Sequence, residues 1–142
     1  MIECVNPSKV MYSKKEEYNS NENCLVLLLS DYKTNTKCMF AGDISSDTEN
    51  ILIDKYGNNG KLDVDVYKVN HHGSKFSNSE RWLKYLSPDI SIISCSENNN
   101  YGHPHKETIE RLKKAASKVF YTKEQGQVKI DEKTLEFIKN NI

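Results

Sequence analysis

The stretch Val64-Asp65-Val66-Tyr67-Lys68-Val69-Asn70-His71-His72-Gly73-Ser74 decides how this chain folds. Its first six residues, rich in valine with one tyrosine, have the composition and length of a short strand. The strand then gives way at once to two adjacent imidazoles, a glycine and a hydroxyl. Polar residues that begin where a strand stops are delivered to one end of a sheet. What joins them there depends on the order of the surrounding elements.

Upstream, residues 24–30 and 37–42 are apolar runs of strand length separated by the turn-rich 31–36, and together they predict a hairpin. Ser46 or Asp47 caps a predicted helix with Ile51, Leu52 and Tyr56 on one side, ending at Gly57-Asn58-Asn59-Gly60. Downstream, Asn78 or Ser79 starts a helix carrying Trp82, Leu83 and Leu86, and Ser87-Pro88 stops it, because the residue before proline disfavours the α region. Residues 90–95 form the next strand. After the loop 96–102, Pro104 suits a first helical turn for 107–116, with Ile109, Leu112 and Ala116 inward. Strands are expected at 119–122, 127–130 and 135–138. Residues 1–22, polar and containing Pro7 and Lys14-Lys15-Glu16-Glu17, are expected to be an extended lead-in. Residues 23–142 form the domain.

The order strand, helix, strand, helix, strand, helix, strand predicts an α/β fold with a mixed sheet, in which a βαβαβαβ run of parallel strands follows a hairpin. Parallel neighbours point their carboxyl ends the same way. Asp43 follows the strand that ends Phe40-Ala41-Gly42, His71 and His72 follow the strand that ends at Asn70, and residues 98–103 follow the strand at 90–95. Successive strand ends therefore bring Asp43, His71, His72, Asn98 and His103 to one rim, where α/β folds bind ligands. Taken singly, Asp43 is a turn brace, His71-His72 a surface pair and Ser74 a turn or cap residue. Their convergence favours a site. All four histidines fall between positions 71 and 105. Imidazole and carboxylate are ligands of a hydrolytic metal centre, zinc or manganese, which activates water and makes a protein nucleophile unnecessary. Phe76, Trp82 and Tyr85 offer a stacking platform for bases, but their spacing better suits helix packing. Arg111, Lys113, Lys114 and Lys118 read as the wet face of a helix.

Composition narrows the classes. With 20 Lys and Arg against 20 Asp and Glu, the 142-residue chain is neutral, which removes counterion release by a basic chain as a driving force for nucleic-acid binding. Any such contact is local. The longest apolar run, Leu25 to Leu29 with Cys24, is far short of the ~18 residues of a membrane span, and the opening Met-Ile-Glu-Cys does not start a signal peptide. The chain is expected to be soluble, cytoplasmic or otherwise. Cys4, Cys24, Cys38 and Cys95 form no Cys-x-x-Cys pair and are expected to be reduced.

Asn23 before the 24–30 strand, Phe40-Ala41-Gly42-Asp43, Val69-Asn70-His71-His72-Gly73-Ser74, Tyr101-Gly102-His103-Pro104 and Tyr121-Thr122 with Gly126 carry a resemblance. Over residues 23–130 the chain resembles the carboxyl-terminal half of the metallo-β-lactamase-fold domain of the competence protein ComEC and its stand-alone relatives. The resemblance implies half of an αββα sandwich holding one or two divalent ions, and cleavage of DNA or another phosphodiester. It makes Asp43 and His71 metal ligands, with His72 beside them in the catalytic set and Ser74, Asn98 and His103 as substrate contacts. Nothing before Asp43 matches the family's amino-terminal histidine-rich motif. A catalytic zinc needs about three protein ligands. The expectation is therefore a hydrolase incomplete without an amino-terminal half-domain, or alternatively a catalytically silent half-domain that binds a partner chain or self-associates.

Overall fold

The computed structural model describes residues 1–7 and 20–140. A six-stranded sheet runs β1 (Ile2–Asn6), β2 (Val26–Asp31), β3 (Thr36–Phe40), β4 (Val66–Lys68), β5 (Ile90–Ile93) and β6 (Lys118–Tyr121), with strands adjacent in space in the order in which they occur in the chain. β1, β2 and β3 pair antiparallel; β3 to β6 pair parallel. Between the parallel strands lie α1 (Ser46–Tyr56), α2 (Glu80–Leu86) and α3 (Lys106–Lys114), and after β6 come α4 (Thr122–Gln125) and α5 (Glu132–Lys139). This is the α/β class with the mixed sheet and βαβαβαβ run that the sequence predicts.

The alternation of each strand divides the sheet into two faces. Val26, Leu28, Met39, Tyr67 and Ile93 are buried in one cluster with Leu52, Ile53, Trp82, Leu83, Leu86 and Leu112 from α1, α2 and α3. Burying side chains of this size stabilises by about 1.5–3 kcal/mol each. On the second face Val66 and Ile90 pack against Leu135 and Ile138 of α5, with Cys38, Ile92, Phe120 and Ile130 partly buried around them. Ile2, Leu25 and Phe40 are exposed. All four cysteines are free.

Several boundaries differ from the expectations, each for a physical reason. The lead-in is not extended coil throughout: residues 2–6 form β1, whose Ile2, Glu3 and Cys4 pair with Leu29, Leu28 and Leu27. Asn6 secures it by donating to the carbonyls of Glu22 (2.9 Å) and Cys24 (2.7 Å), and Val5 is buried. The stretch Val10 to Tyr12 and the Lys14-Lys15-Glu16-Glu17 run lie outside the described residues. Residues 127–130 are not a strand, and 135–138 are helical. Asp131 caps α5 by accepting from the Thr134 N–H at 2.9 Å, and Leu135 and Ile138 stand at helical spacing. In α1 the inward stripe is Thr48, Glu49, Leu52 and Ile53, while Ile51 is exposed; the buried glutamate disguises the stripe. Ala116 lies beyond α3 with a positive φ and is exposed. Trp82 is buried in the helix packing, but Phe76 is not.

Candidate functional site

The carboxyl ends of β3, β4 and β5 open onto one rim. After β3 the chain turns at Gly42, where φ is +57° and a Cβ would lie 3.0 Å from Cys24 Cβ and 3.1 Å from the Leu25 carbonyl, so only glycine lets Asp43 leave the sheet so closely. After β4, residues Asn70–Gly73 form a 3₁₀ turn in which His71 (φ 47°, ψ 43°) and His72 (φ 53°, ψ 21°) are both left-handed. That conformation costs an L-residue about 1–2 kcal/mol. The surroundings compel it.

The restraints come from every side. The His71 N–H donates to the Gly42 carbonyl at 3.0 Å, the Ser74 N–H to the His71 carbonyl at 2.9 Å, and the His105 N–H to the Gly73 carbonyl at 3.0 Å. At Gly73, φ is +87° and a Cβ would lie 2.6 Å from Pro104 Cβ, so the His-His-Gly-Ser turn and the Tyr-Gly-His-Pro loop are in direct contact. Beneath the turn, Asn70 is fully buried; its N–H donates to Tyr67 Oη (3.1 Å) and Asn78 Oδ1 (3.0 Å), and its amide donates to Glu49 Oε1 at 3.0 Å. Glu49 also accepts from the N–H groups of Asn78 and Ser79. Burial pushes the Glu49 carboxyl above the usual range against the pull of these donors, and drives the Tyr67 phenol well up. This support was missed at the sequence level. The signal was that Glu49 shares the helical stripe of Leu52 and Ile53.

At the rim itself, His72 Nε2 lies 3.7 Å from Asp43 Oδ1, while His72 Nδ1 is 2.7 Å from the Ser94 carbonyl. A carbonyl only accepts, so Nδ1 carries a proton and is turned away from Asp43, and Nε2 is the ring atom that faces the carboxylate. This is how second contacts fix a ligating imidazole. The ring of His71 stands edge-on to that of His103 at 5.6 Å, and His103 meets His105 at 4.9 Å. Burial, followed by His105, His71 and His72, pulls the His103 pKa below the usual imidazole value, with Asp43 opposing. Lys68, mostly buried, donates to the Val69 carbonyl; burial lowers its pKa and Asp43 opposes the shift.

The structure brings together Asp43, His71, His72 and His103. Ser74 is buried below them, its hydroxyl accepting from the Phe76 N–H and its carbonyl from Thr108 Oγ1 at 2.9 Å, so it braces the turn. Asn98 is exposed on the loop, and its neighbour Asn99 does the organising: Oδ1 accepts from the His103 N–H, and the amide donates to the Ser96 and His103 carbonyls. His105 is the residue before α3, and its Nδ1 accepts from the Lys75 N–H at 3.2 Å. A depression of about 350 Å³ adjoins the row, lined by His72, Ser94, Asn99, Tyr101, His103 and Thr122.

As a metal cradle the rim is partial. Two donors of a tetrahedral zinc stand about 3.4 Å apart, given bonds of about 2.0–2.2 Å, and the Asp43–His72 pair is near that separation. Among the described residues, however, no three His, Cys, Asp or Glu side chains are grouped so as to hold an ion. Nor, among those residues, is any helix long and apolar enough to cross a membrane.

No family model matches the chain. It is 33% identical over 90 residues to ComE operon protein 3 of Bacillus subtilis, covering 63% of this chain and 11% of that protein. It is 35% identical over 111 residues to Recombination protein 2 of Haemophilus influenzae, covering 78% of this chain and 13% of that protein. To Competence protein ComA of Neisseria gonorrhoeae it is 29% identical, again over 111 residues, which make up 16% of the relative. The chain thus has competence-related relatives and spans between a tenth and a sixth of their length.

Proposed function

We propose that the rim is this chain's share of a divalent-metal site in a phosphodiester hydrolase of the metallo-β-lactamase fold, working on DNA in a competence system. The observation that carries the reading is the fixed orientation of the His72 ring, with Nδ1 on the Ser94 carbonyl and Nε2 turned to Asp43. Asp43 and His72, with His71 alongside, would hold zinc or manganese, and the remaining ligands would come from a separate amino-terminal half-domain. Such an ion, when bound, acidifies water to a pKa near ~7 and offsets charge developing on the phosphoryl group. The Ser94 carbonyl keeps the proton on His72 Nδ1. His103, beside His71 and His72, would in its neutral form have one ring N–H to donate and one lone pair to accept with, the equipment for proton transfer at a leaving oxygen. The competence-related relatives support DNA as substrate.

The test is metal content by elemental analysis after dialysis against zinc or manganese, for the wild type, Asp43→Asn, His72→Ala and His71→Ala. Bound metal that is lost in the Asp43 and His72 variants is the expected result; equal metal in all four proteins would sink the reading. A second reading, a silent half-domain that docks on a partner chain, is favoured by the exposed Ile2, Leu25 and Phe40 at the second face and its margins. It predicts no metal uptake, alone or with the partner.

A further inference from the structure

Two aromatic side chains near the rim turn most of their surface to solvent. Tyr101 is 77% exposed and Phe76 68% exposed, although both sit on backbone that is held in place. Asn99 clamps the Tyr101 loop through the Ser96 and His103 contacts, and Phe76 is pinned by its N–H to Ser74 Oγ and by its carbonyl, which accepts from the Ser46 N–H at 3.0 Å. Tyr101 stands at one end of the histidine row. Tyr101 lies against His103 at 5.7 Å and 23° between planes, and His103 lies at 6.4 Å and 22° from His72, so rings follow one another from the loop tip to the imidazole that faces Asp43. The Lys75 N–H binds His105, and Lys75 Nζ stands 5.4 Å from the centre of the Phe76 ring.

We infer that Tyr101, assisted by Phe76, is a base-stacking platform that makes this a site for single-stranded nucleic acid. The inference deepens the phosphodiesterase reading and rests on it. Every base has a flat face that stacks on an aromatic ring whatever its identity, and in a duplex those faces are already covered. A tyrosine offered to solvent on a clamped loop, beside the residues that would engage the phosphate, suits an unpaired base next to that phosphate. Lys75, beside Phe76, supplies the local positive charge that a neutral chain lacks overall.

The experiment is fluorescence anisotropy at low salt without added metal, using a fluorescein-labelled mixed-sequence DNA single strand of about ten nucleotides, the same RNA, and the DNA duplex. Wild type is expected to bind both single strands more tightly than the duplex. Tyr101→Ala is expected to weaken both by about tenfold and leave the duplex unchanged, Phe76→Ala to weaken them less, and Tyr101→Phe to bind as wild type, since stacking needs the ring and not the hydroxyl. Unchanged single-strand affinity in Tyr101→Ala, an equal loss on duplex, or no single-strand binding by wild type overturns the inference. Asp43→Asn separates the two ideas. If it loses metal while Tyr101→Ala leaves binding intact, stacking fails and the metal reading survives; if no protein takes up metal but Tyr101→Ala weakens binding, the reverse holds.

Discussion

The two ends of the sheet both carry polar side chains and use them oppositely. At the amino ends of the parallel strands, Asp65 accepts from the Lys37 N–H at 2.7 Å, and Asp31, where β2 ends beside the start of β3, accepts from the Lys33 N–H and the Thr34 hydroxyl, both at 3.0 Å. Those donors hold the Asp31 carboxyl below its usual range. Here side chains serve the backbone. At the carboxyl ends, most of the backbone's needs are met from below by Glu49, Asn78 and the Gly42 and Gly73 carbonyls, and where His72 and His105 do bind backbone, at the Ser94 carbonyl and the Lys75 N–H, each uses only Nδ1 and leaves Nε2 over. A polar residue at a strand end is therefore informative only once its backbone duties have been counted.

The comparison breaks first at Glu49. Glu49→Ala strands the Asn78 and Ser79 N–H groups and the Asn70 amide in the core, and is expected to cost about 3 kcal/mol or more in urea unfolding. Next is the contact between the two rim loops. Gly73→Ala, which meets Pro104 at a positive φ, should cost about 2–4 kcal/mol, while Gly102→Ala, also at positive φ but with no atom within 4 Å, should cost about 1–2 kcal/mol. If the two cost the same, the loops are not packed as described.

His71→Gly sharpens the contrast in the other direction. Removing a left-handed imidazole should raise stability by about 1 kcal/mol while lowering metal uptake, because the strain is maintained for the side chain. At the opposite end, Asp65→Asn should lower stability by about 0.5–1 kcal/mol and leave metal and nucleic-acid binding alone. The gentlest effect is on pH. Glu49 binds its proton more tightly in the folded chain than its reference value of 4.5, so folding is favoured below that value and loses this contribution as pH rises through the elevated pKa. Stability should slope downward with pH above about 4.5, and Glu49→Gln should remove the slope.

The periodic parts of the molecule were legible from residues alone. β2 to β6 and the three crossover helices follow from alternating apolar runs, Ser79 as a cap and Pro88 as a stop, and strand order alone brings Asp43, His71, His72 and His103 together. What escaped was non-local. β1 exists because of its partner β2, and the role of Glu49 depends on Asn70 and Asn78, which are distant in the chain. The end of the chain misled because Leu135-Glu136-Phe137 alternates like a strand, whereas the buried pair is Leu135 and Ile138 at the i, i+3 spacing of a helix capped by Asp131. Which histidine turns to Asp43 depends on a carbonyl from β5's outgoing loop, Ser94, that no spacing rule supplies.

Because each strand lies beside its immediate predecessor, the sheet grows in one direction as the chain leaves the ribosome. No strand waits for a later one to be inserted between it and its neighbour, so each pairing needs only chain that has already been made. Asp43 is set first, His71 and His72 join when β4 docks, and His103 closes the row with α3. A nascent chain that has passed Lys114 already carries Asp43 and all four histidines, and only the Thr122 wall of the adjoining depression waits for β6.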